Sequence, residues 1–220
     1  MIKAVINYAC NPVLKRLIMS TVVVSFVIAG HGQYRPGLFL REDWKVSPAA
    51  TPVTQNHVVN KDLILGLYGP GCDSIKKSHH DTPADDPYYI WSGLCTGNWA
   101  VTLKNSKSYV DLSGYAKVMW RSKQAGLRCL HLVLKLADGT WIVSSQGDCL
   151  SKDWRIKEFN IMDLSWYTLN IKSVIEIKPV KDPDLSKVDE IGFTDLMPGG
   201  GSDACSRLDY IEVYGKSVPR

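Results

Sequence analysis

The stretch that decides the fold is residues 130–144, Leu-His-Leu-Val-Leu-Lys-Leu-Ala-Asp-Gly-Thr-Trp-Ile-Val-Ser. Leucine stands at every second position from Leu130 to Leu136, with other side chains between. A period of two places alternate side chains on opposite faces of a β-strand. Residues 137–140 contain Asp-Gly, a strong turn signal, and strand-type residues resume at Trp141. The stretch therefore predicts a β-hairpin with one face in a hydrophobic core.

Short runs of the same kind recur along the chain, separated by Gly, Asp, Asn and Pro. They lie at residues 63–68, 99–103, 117–121, 156–161, 174–180, 190–194 and 208–214. No segment carries a convincing apolar stripe of helical period, and many short strands without helices are typical of a sandwich or barrel. The sequence predicts one all-β domain over residues 61–220, preceded by an arm or first strand over residues 33–60.

Three phrases make this prediction more definite. They are Val-Asp-Leu-Ser-Gly-Tyr at 110–115, Asp-Leu-Ser-Lys-Val-Asp-Glu-Ile-Gly-Phe at 184–193, and Leu-Asp-Tyr-Ile-Glu-Val-Tyr-Gly at 208–215. In this order they resemble the jelly-roll sandwiches of galactose-binding-like domains and carbohydrate-binding modules, over roughly residues 97–216. The resemblance implies a jelly-roll β-sandwich and a carbohydrate ligand, held by loops at one end or by the concave sheet. It assigns no role to any residue, because one sandwich hosts many activities.

The N-terminus has the layout of a secretory signal peptide. Lys3, Lys15 and Arg16 precede an apolar run over residues 17–29 that ends in small residues. The run is too short for a membrane helix, which needs roughly 20 residues. We expect cleavage before Gln33, an uncleaved anchor being the alternative. The mature protein is then secreted or periplasmic, without a transmembrane segment.

Removing residues 1–32 takes away three positive charges and no negative ones, so the formal charge falls from +4 to about +1. The apparent basicity of the chain belongs mostly to the targeting signal. Nucleic-acid binding needs clustered Lys and Arg to neutralise phosphates, and nothing in the mature chain suggests it. We therefore expect no nucleic-acid partner.

Five cysteines remain once Cys10 is lost with the signal peptide, and in an oxidising compartment they are expected to form disulfides. If the hairpin loop is residues 138–140, Cys129 and Cys149 stand opposite each other, which predicts a bridge. Cys72 and Cys95 bracket a polar segment and form a second predicted bridge. At least one thiol stays unpaired or bonds to another chain. No C-x-x-C spacing supports zinc.

The polar segment, residues 69–93, is where binding or catalysis is expected. It combines two histidines, four aspartates, two lysines and three aromatic residues, and loops on a rigid sandwich commonly carry function. Aromatic faces beside carboxylates are a usual way to hold sugars. The predicted ligand contacts are Asp85, Asp86, Tyr88, Tyr89, Trp91 and, from a neighbouring strand, Arg121. The alternative is a solvated insertion whose aromatic side chains cover an edge of the sandwich.

Three chemistries compete for the segment. His79 or His80 could act as a general base with Lys76 or Lys77 neutralising a substrate carboxylate, as elimination from a uronic-acid polymer requires. Asp81, Asp85 and Asp86 could bind Ca²⁺ through carboxylate oxygens. The two histidines could also bind a metal, but neighbours on a strand project to opposite faces.

The function classes left open are three. The leading hypothesis is a carbohydrate-binding β-sandwich protein; the main alternative is a small polysaccharide lyase or glycoside hydrolase that uses residues 69–93. A non-enzymatic envelope-interaction protein is the third. No G-x-S-x-G elbow is present, and no strand carries closely spaced paired carboxylates of the kind a retaining glycosidase needs.

A second candidate loop, residues 197–207, contains three consecutive glycines together with Asp203 and Arg207.

Overall fold

The computed structural model describes residues 35–84, 86–197 and 204–220, in which fifteen β-strands and three short 3-10 turns are found. The predicted signal peptide, residues 1–32, and Asp85 lie outside the described residues. The strands are β1 Leu38–Glu42, β2 Leu63–Tyr68, β3 Lys76–Ser78, β4 Tyr89–Trp91, β5 Ala100–Asn105, β6 Ser108–Asp111, β7 Lys117–Gln124, β8 Leu130–Leu136, β9 Trp141–Asp148, β10 Arg155–Asn160, β11 Trp166–Asn170, β12 Ile175–Val180, β13 Val188–Thr194, β14 Ser206–Tyr214 and β15 Lys216–Pro219.

The strands form two antiparallel sheets. The six-stranded sheet has the order β10-β7-β14-β4-β3, and β1 also pairs with β14. The nine-stranded sheet has the order β12-β11-β9-β8-β13-β5-β2, with β6 and β15 attached beside β13. The chain is thus an all-β sandwich of the jelly-roll type. The alternating patterns predicted an all-β domain, and the family resemblance implied the jelly roll. No helix in the described ranges is long and apolar enough to cross a membrane.

The main core lies between the two sheets. The four alternating leucines of β8 all contribute to it. Trp120 of β7 packs edge-on against Phe159 and, at a centroid distance of 6.4 Å, against Phe193 of the opposite sheet. Because apolar burial contributes roughly 25 cal/mol per Å², these large side chains supply much of the stability of the sandwich.

A second, smaller apolar cluster lies on the outer face of the nine-stranded sheet, turned away from the main core. Its buried members are Ala100, Val133, Val143, Leu169 and Val174. Val133 and Val143 are paired across β8 and β9, at positions that alternate with core residues. One sheet of the sandwich therefore carries apolar side chains on both faces, which a structural core alone does not require.

The N-terminal part, residues 35–60, is tied to the six-stranded sheet. β1 pairs with β14, and Ala50 forms an isolated bridge with Lys77. The buried Glu42 carboxylate accepts hydrogen bonds from the backbone N–H groups of Trp44, Val59 and Asn60, at 2.9, 2.8 and 3.0 Å. Burial raises the pKa of Glu42, and these hydrogen bonds oppose that rise.

The hairpin and its predicted disulfide are present, with one correction to the register. Cys129 and Cys149 are bonded. The loop, however, is residues 137–139, one position earlier than predicted, because Leu136 and Thr140 are hydrogen-bonded. A bulge on β9 restores the alignment, since residues 144–146 stand opposite Leu132 alone. The bulge on β9, and not the predicted loop length, therefore places Cys129 opposite Cys149.

The predicted Cys72–Cys95 bridge is not formed in the structure, where both residues are thiols. The Cys72 thiol lies 3.7 Å from the Asp73 carboxylate, and Cys95 is buried in the main core. The segment between them is held instead by the pairing of β3 with β4 and by the Gly71 N–H, which donates to the Asn98 carbonyl at 2.8 Å. Backbone pairing replaces the expected covalent tie.

Candidate functional site

The polar segment, residues 69–93, forms one edge of the six-stranded sheet. It supplies the short strands β3 and β4, and β4 pairs with β14. Tyr89 is only 1% exposed and packs against Trp154 at a centroid distance of 5.3 Å. A ring buried to this degree cannot offer a face to a sugar, so the structure makes Tyr89 a packing residue.

His80 is held by two neighbours. Its Nδ1 lies 3.0 Å from the Asp86 carboxylate and 3.0 Å from the Tyr89 hydroxyl, and its backbone N–H donates to Asp86 at 2.9 Å. The imidazole is 60% exposed, whereas the Asp86 side chain is nearly buried. A carboxylate on one ring nitrogen orients the imidazole and leaves the other nitrogen accessible. The structure therefore brings His80, Asp86 and Tyr89 together.

A second group forms around Tyr88. The ring of His79 stacks on it at 4.0 Å, and the Lys77 ammonium lies 4.4 Å from its centroid. Lys77 is fully buried, and its Nζ has no hydrogen-bond partner among the described residues. Burial lowers the pKa of Lys77 to about 8. His79 in turn lies 3.6 Å from the exposed Asp81 carboxylate.

The cleft beside this group has a volume of about 540 Å³. It is lined by residues 46–49 of the N-terminal part together with His79, Asp81 and Tyr88. Of the predicted general bases, only His79 reaches it. The predicted charge stabiliser, Lys77, contacts the same Tyr88 ring as His79 but does not line the cleft.

Trp91 and Arg121 are engaged with other side chains. Lys76 lies 5.4 Å from the Trp91 ring, whose Nε1 is enclosed. Arg121 donates to the Asp209 carboxylate at 2.9 Å and lies over the Trp154 ring at 5.5 Å. Neither side chain joins the histidine groups.

The predicted calcium ligands Asp81 and Asp86 are divided between the two histidine groups. Asp81 contacts His79, and Asp86 contacts His80. Within residues 35–84, 86–197 and 204–220 there is no cluster of three His, Cys, Asp or Glu side chains that could hold a metal ion. Asp85 lies outside that range, so calcium stays a prediction.

The most coherent set of ligand-type side chains lies elsewhere, on the outer face of the nine-stranded sheet. Tyr68, Trp141 and Tyr167 are all partly exposed there and pack on the outer apolar cluster. The rings of Tyr68 and Trp141 meet edge to face at a centroid distance of 4.9 Å. We call Tyr68, Trp141 and Tyr167 the aromatic row.

Glycine makes room for this arrangement. Gly66 stands two positions before Tyr68 on the same face of β2, and a Cβ there would lie 2.7 Å from the Tyr68 ring. The ring can therefore lie across β2 toward the centre of the sheet, where a side chain at position 66 would block it. This is the reason that a residue on the edge strand contacts Trp141 of β9.

Charged groups border the aromatic row. The Glu190 carboxylate accepts hydrogen bonds from Thr102 at 2.7 Å, from Tyr68 at 2.9 Å and from Lys135 at 2.9 Å. The Lys135 ammonium also lies 5.4 Å from the Trp141 ring. The hydrogen bond that Lys135 donates to Glu190 is the main cause of the raised pKa of Lys135, while burial and the Glu190 charge raise the pKa of Tyr68.

Asp189 joins the same network from the neighbouring position. It forms ion pairs with Arg220 at 2.6 Å and with Lys104 at 3.3 Å. Burial alone would raise the pKa of Asp189, but these two cations outweigh it and the pKa is lowered. The face thus has ionised, preorganised hydrogen-bonding groups beside half-exposed aromatic rings.

Five tryptophans fall in or beside predicted strands, where a buried indole is the ordinary expectation: Trp99, Trp120, Trp141, Trp154 and Trp166. Trp99, Trp120 and Trp166 are buried, whereas Trp141 and Trp154 are partly exposed. The overlooked signal was alternation: Trp141 and Val143 occupy the outer positions of β9, and Ile142 the inner one. Apolar residues on both faces of a strand indicate that the outer face also has a role in packing or binding.

No protein-family model matches the chain, and no curated protein matches it. Among solved structures, the chain is similar to the family 11 carbohydrate-binding module of the cellulosomal cellulase Lic26A-Cel5E of Clostridium thermocellum. The identity is 12%, the match covers 83% of this chain and 97% of the module, and the TM-score is 0.46.

Two further carbohydrate-binding modules from the same organism are similar to this chain. A family 11 module in complex with a beta-1,3-1,4-mixed-linked tetrasaccharide is 13% identical, with coverage of 80% of this chain and 100% of the module and a TM-score of 0.42. The family 30 module of the cellulosomal cellulase Cel9D-Cel44B is 12% identical, with coverage of 84% and 96% and a TM-score of 0.38.

Proposed function

We propose that this protein binds carbohydrate outside the cytoplasm, on the outer face of its nine-stranded sheet. The observation that carries the proposal is the aromatic row, in which Tyr68, Trp141 and Tyr167 are partly exposed beside an ion-paired network. Aromatic rings pack on the C–H faces of sugars, and charged groups with fixed geometry bond their hydroxyls.

The site is preorganised, which favours binding of a flexible polymer. Lys135 is held by Glu190, and Tyr68 is held by both Glu190 and the Trp141 ring. Side chains already fixed in the free protein lose little entropy on binding. The rings lie on strands and not on loops, so the platform is as rigid as the sheet.

Export supports an extracellular glycan as the ligand. The signal-peptide layout of residues 1–32 predicts a mature chain in the periplasm or outside the cell, where polysaccharides are plentiful. The bonded Cys129–Cys149 pair agrees with an oxidising compartment.

A glycan screen followed by calorimetry tests this proposal. Trp141→Ala removes the central ring, and we expect affinity for the bound glycan to fall by at least about tenfold, because aromatic anchors dominate such interfaces. Tyr68→Phe keeps the ring and removes the hydroxyl, so a smaller loss is expected.

The matched control is Trp154→Ala, which removes a partly exposed indole from the other sheet, beside the polar segment. Its affinity should stay within about twofold of the parent protein. Unchanged binding by Trp141→Ala and Tyr167→Ala, together with a loss in Trp154→Ala, would move the site to the polar segment and overturn the proposal.

One observation favours a second function, polysaccharide cleavage. The exposed His80 imidazole bonds the nearly buried Asp86 through Nδ1, which is an arrangement suited to a general base. If the protein is a lyase, incubation with uronic-acid polymers yields unsaturated products that absorb ultraviolet light. His80→Ala should abolish this product, whereas His79→Ala should not; a glycan that is bound but unchanged excludes cleavage of that glycan.

A further inference from the structure

The charged groups beside the aromatic row are not equally exposed to solvent. The side chains of Asp189 and Glu190 are only 10% and 6% exposed. The cations bonded to them are more exposed, at 33% for Lys104, 27% for Lys135 and 24% for Arg220. The carboxylates therefore lie beneath the cations, and the network presents positive charge and N–H donors to solvent.

A bulge on β13 brings both carboxylates to one face of the sheet. Neighbouring residues of a regular strand project to opposite faces. The register of β13 with β8, however, shifts just before Glu190, and Asp189 and Glu190 both bond Lys135, at 3.4 and 2.9 Å. Glu190 also accepts hydrogen bonds from Tyr68 and Thr102. Both carboxylates are thus engaged by donors of the protein, so the network offers a ligand donors more than acceptors.

The side-chain charges of this network leave one positive charge in excess. Asp189 is bonded to Lys104, Lys135 and Arg220, so three cations share the two carboxylates. An ammonium group has three N–H donors, and Lys104 is bonded to the Asp189 carboxylate alone among the described residues. An anionic group of a ligand would supply the missing negative charge and accept charge-assisted hydrogen bonds from the lysines.

Strand register places these lysines in line with Trp141. Lys104 of β5 and Lys135 of β8 both stand opposite Glu190 of β13, and Lys135 also stands opposite Trp141 of β9. Because neighbouring strands are about 4.8 Å apart, the Cα atoms of the two lysines are about 10 Å apart. This separation is close to the length of a disaccharide. A polysaccharide that crosses the strands with one ring on Trp141 therefore passes over both ammonium groups.

The excess positive charge lies on one side of the outer face. At the other end of the strand order, the exposed Glu176 of β12 stands opposite Leu169 of the outer apolar cluster. An acidic group is therefore attracted to the part of the face formed by β5, β13 and β8. We propose that the aromatic row binds an acidic polysaccharide, whose carboxylate or sulfate groups contact Lys104 and Lys135. This inference rests on the proposed function, because it names the class of glycan for the same site.

Calorimetry with pairs of polymers that differ only in charge tests the inference. The probes are polygalacturonate and alginate, each with its carboxyl-reduced form, and carrageenan with its desulfated form, which separates carboxylate from sulfate. We expect at least one acidic polymer to bind at least about tenfold tighter than its neutral counterpart at low salt. Its affinity should fall as added salt screens the lysines. Polyglutamate, a polyanion without sugar rings, should bind at least about tenfold more weakly than that polymer.

Lys104→Gln removes the charge and keeps an N–H donor. We expect it to lower affinity for the acidic polymer by about tenfold and for the neutral counterpart by less. Lys123→Gln is the matched control on the other sheet, because Lys123 is 34% exposed and bonded to Asp153 at 3.3 Å, the distance that separates Lys104 from Asp189. Its affinity for the acidic polymer should stay within about twofold of the parent protein. Circular dichroism and Tm confirm that both variants fold.

Failure of this inference can be told apart from failure of the proposed function. The inference is overturned if no acidic polymer binds, if neutral counterparts or polyglutamate bind as tightly as the acidic polymers, or if Lys104→Gln keeps the full preference for acid. In these cases a neutral glycan whose affinity falls in Trp141→Ala leaves the proposed function standing. Acidic polymers that bind Trp141→Ala as tightly as the parent protein overturn both, because the aromatic row is then not the site.

Discussion

Lys77 shows how strongly the fold can change the chemistry of one residue. Its ammonium is fully buried with no hydrogen-bond partner among the described residues, and it lies 4.4 Å from the centroid of the Tyr88 ring. Burying an unpaired charge is costly, and the cost appears as a pKa of about 8 in place of 10.5. Lysine at this position lowers the stability of the protein at neutral pH.

We expect Lys77→Met to raise the free energy of unfolding at pH 7 by about 2 kcal/mol. Below pH 8 the amine is charged in both the folded and unfolded states, so the folded state carries the full cost. Between pH 8 and 10.5 the folded state releases its proton first, and the stability of the parent protein rises. The gain from Lys77→Met should therefore shrink between pH 7 and pH 10.5.

Urea denaturation at a series of pH values measures this effect. Lys45→Met, which changes an exposed lysine, should show no comparable pH dependence. A Lys77→Met variant that is less stable than the parent at pH 7 contradicts the prediction.

Asp148 is also buried but, unlike Lys77, its carboxylate is paired with hydrogen-bond donors. It accepts hydrogen bonds from the Trp120 indole at 3.0 Å, from the Ser122 hydroxyl and from Arg155 Nε at 2.9 Å. Asp148→Ala leaves these donors without an acceptor, so we expect a loss of about 3–5 kcal/mol in chemical denaturation.

The control for Asp148 is Asp153→Ala. Asp153 is exposed and its ion pair with Lys123, at 3.3 Å, is a surface contact. The change should cost less than about 1 kcal/mol. Equal losses in the two variants would show that burial of Asp148 does not set its contribution.

At the scale of elements, alternation predicts one part of the β8–β9 hairpin, the strand β8, but not its bulge. The alternating leucines predicted β8 and its inner face. The bulge at residues 144–146 depends on local bonds, in which the Ser144 hydroxyl accepts from the Leu132 N–H at 3.0 Å and donates to the Gln146 carbonyl at 2.7 Å. Serine has no sequence signature that separates this role from ordinary surface exposure.

The disulfide at the open end of this hairpin is expected to stabilise the sandwich. Cys129 and Cys149 are 20 positions apart, and closing a loop of this size contributes about 3 kcal/mol in chain-entropy terms. The double variant Cys129→Ser/Cys149→Ser should lower the free energy of unfolding by about that amount. Cys72→Ser, at a thiol that is not in a disulfide, should have little effect; comparable losses would contradict this account.

Five strands were missed from the sequence: β11, which has five residues, and four shorter ones. β3, β4, β6 and β15 have three or four residues each, which is too few to display a period of two. β3 and β4 lie in the polar segment, whose composition suggested a loop. Their pairing with each other and with β14 supplies the order that local sequence does not show.

At the scale of the whole molecule, export is predicted from residues 1–32. N-terminal sequencing of protein recovered from the culture medium or periplasm should begin at Gln33. A mature chain that retains Lys3, Lys15 and Arg16 would instead indicate an uncleaved anchor. The mass of the recovered protein distinguishes the two outcomes independently.

The sequence by itself determined the fold class, the hairpin and the expectation of export, because alternation, turn chemistry and targeting signals are local. It also named the Cys129–Cys149 pair, but the bulge on β9 is what aligns the two cysteines. Tertiary structure decided where ligand-type residues meet. Tyr68, Trp141 and Tyr167 are far apart in the chain and come together only because β2, β9 and β11 belong to one sheet. Residues 69–93 are dense in functional residue types, yet pairing and stacking divide them into separate groups. Proximity between distant segments depends on strand order, which no local pattern encodes.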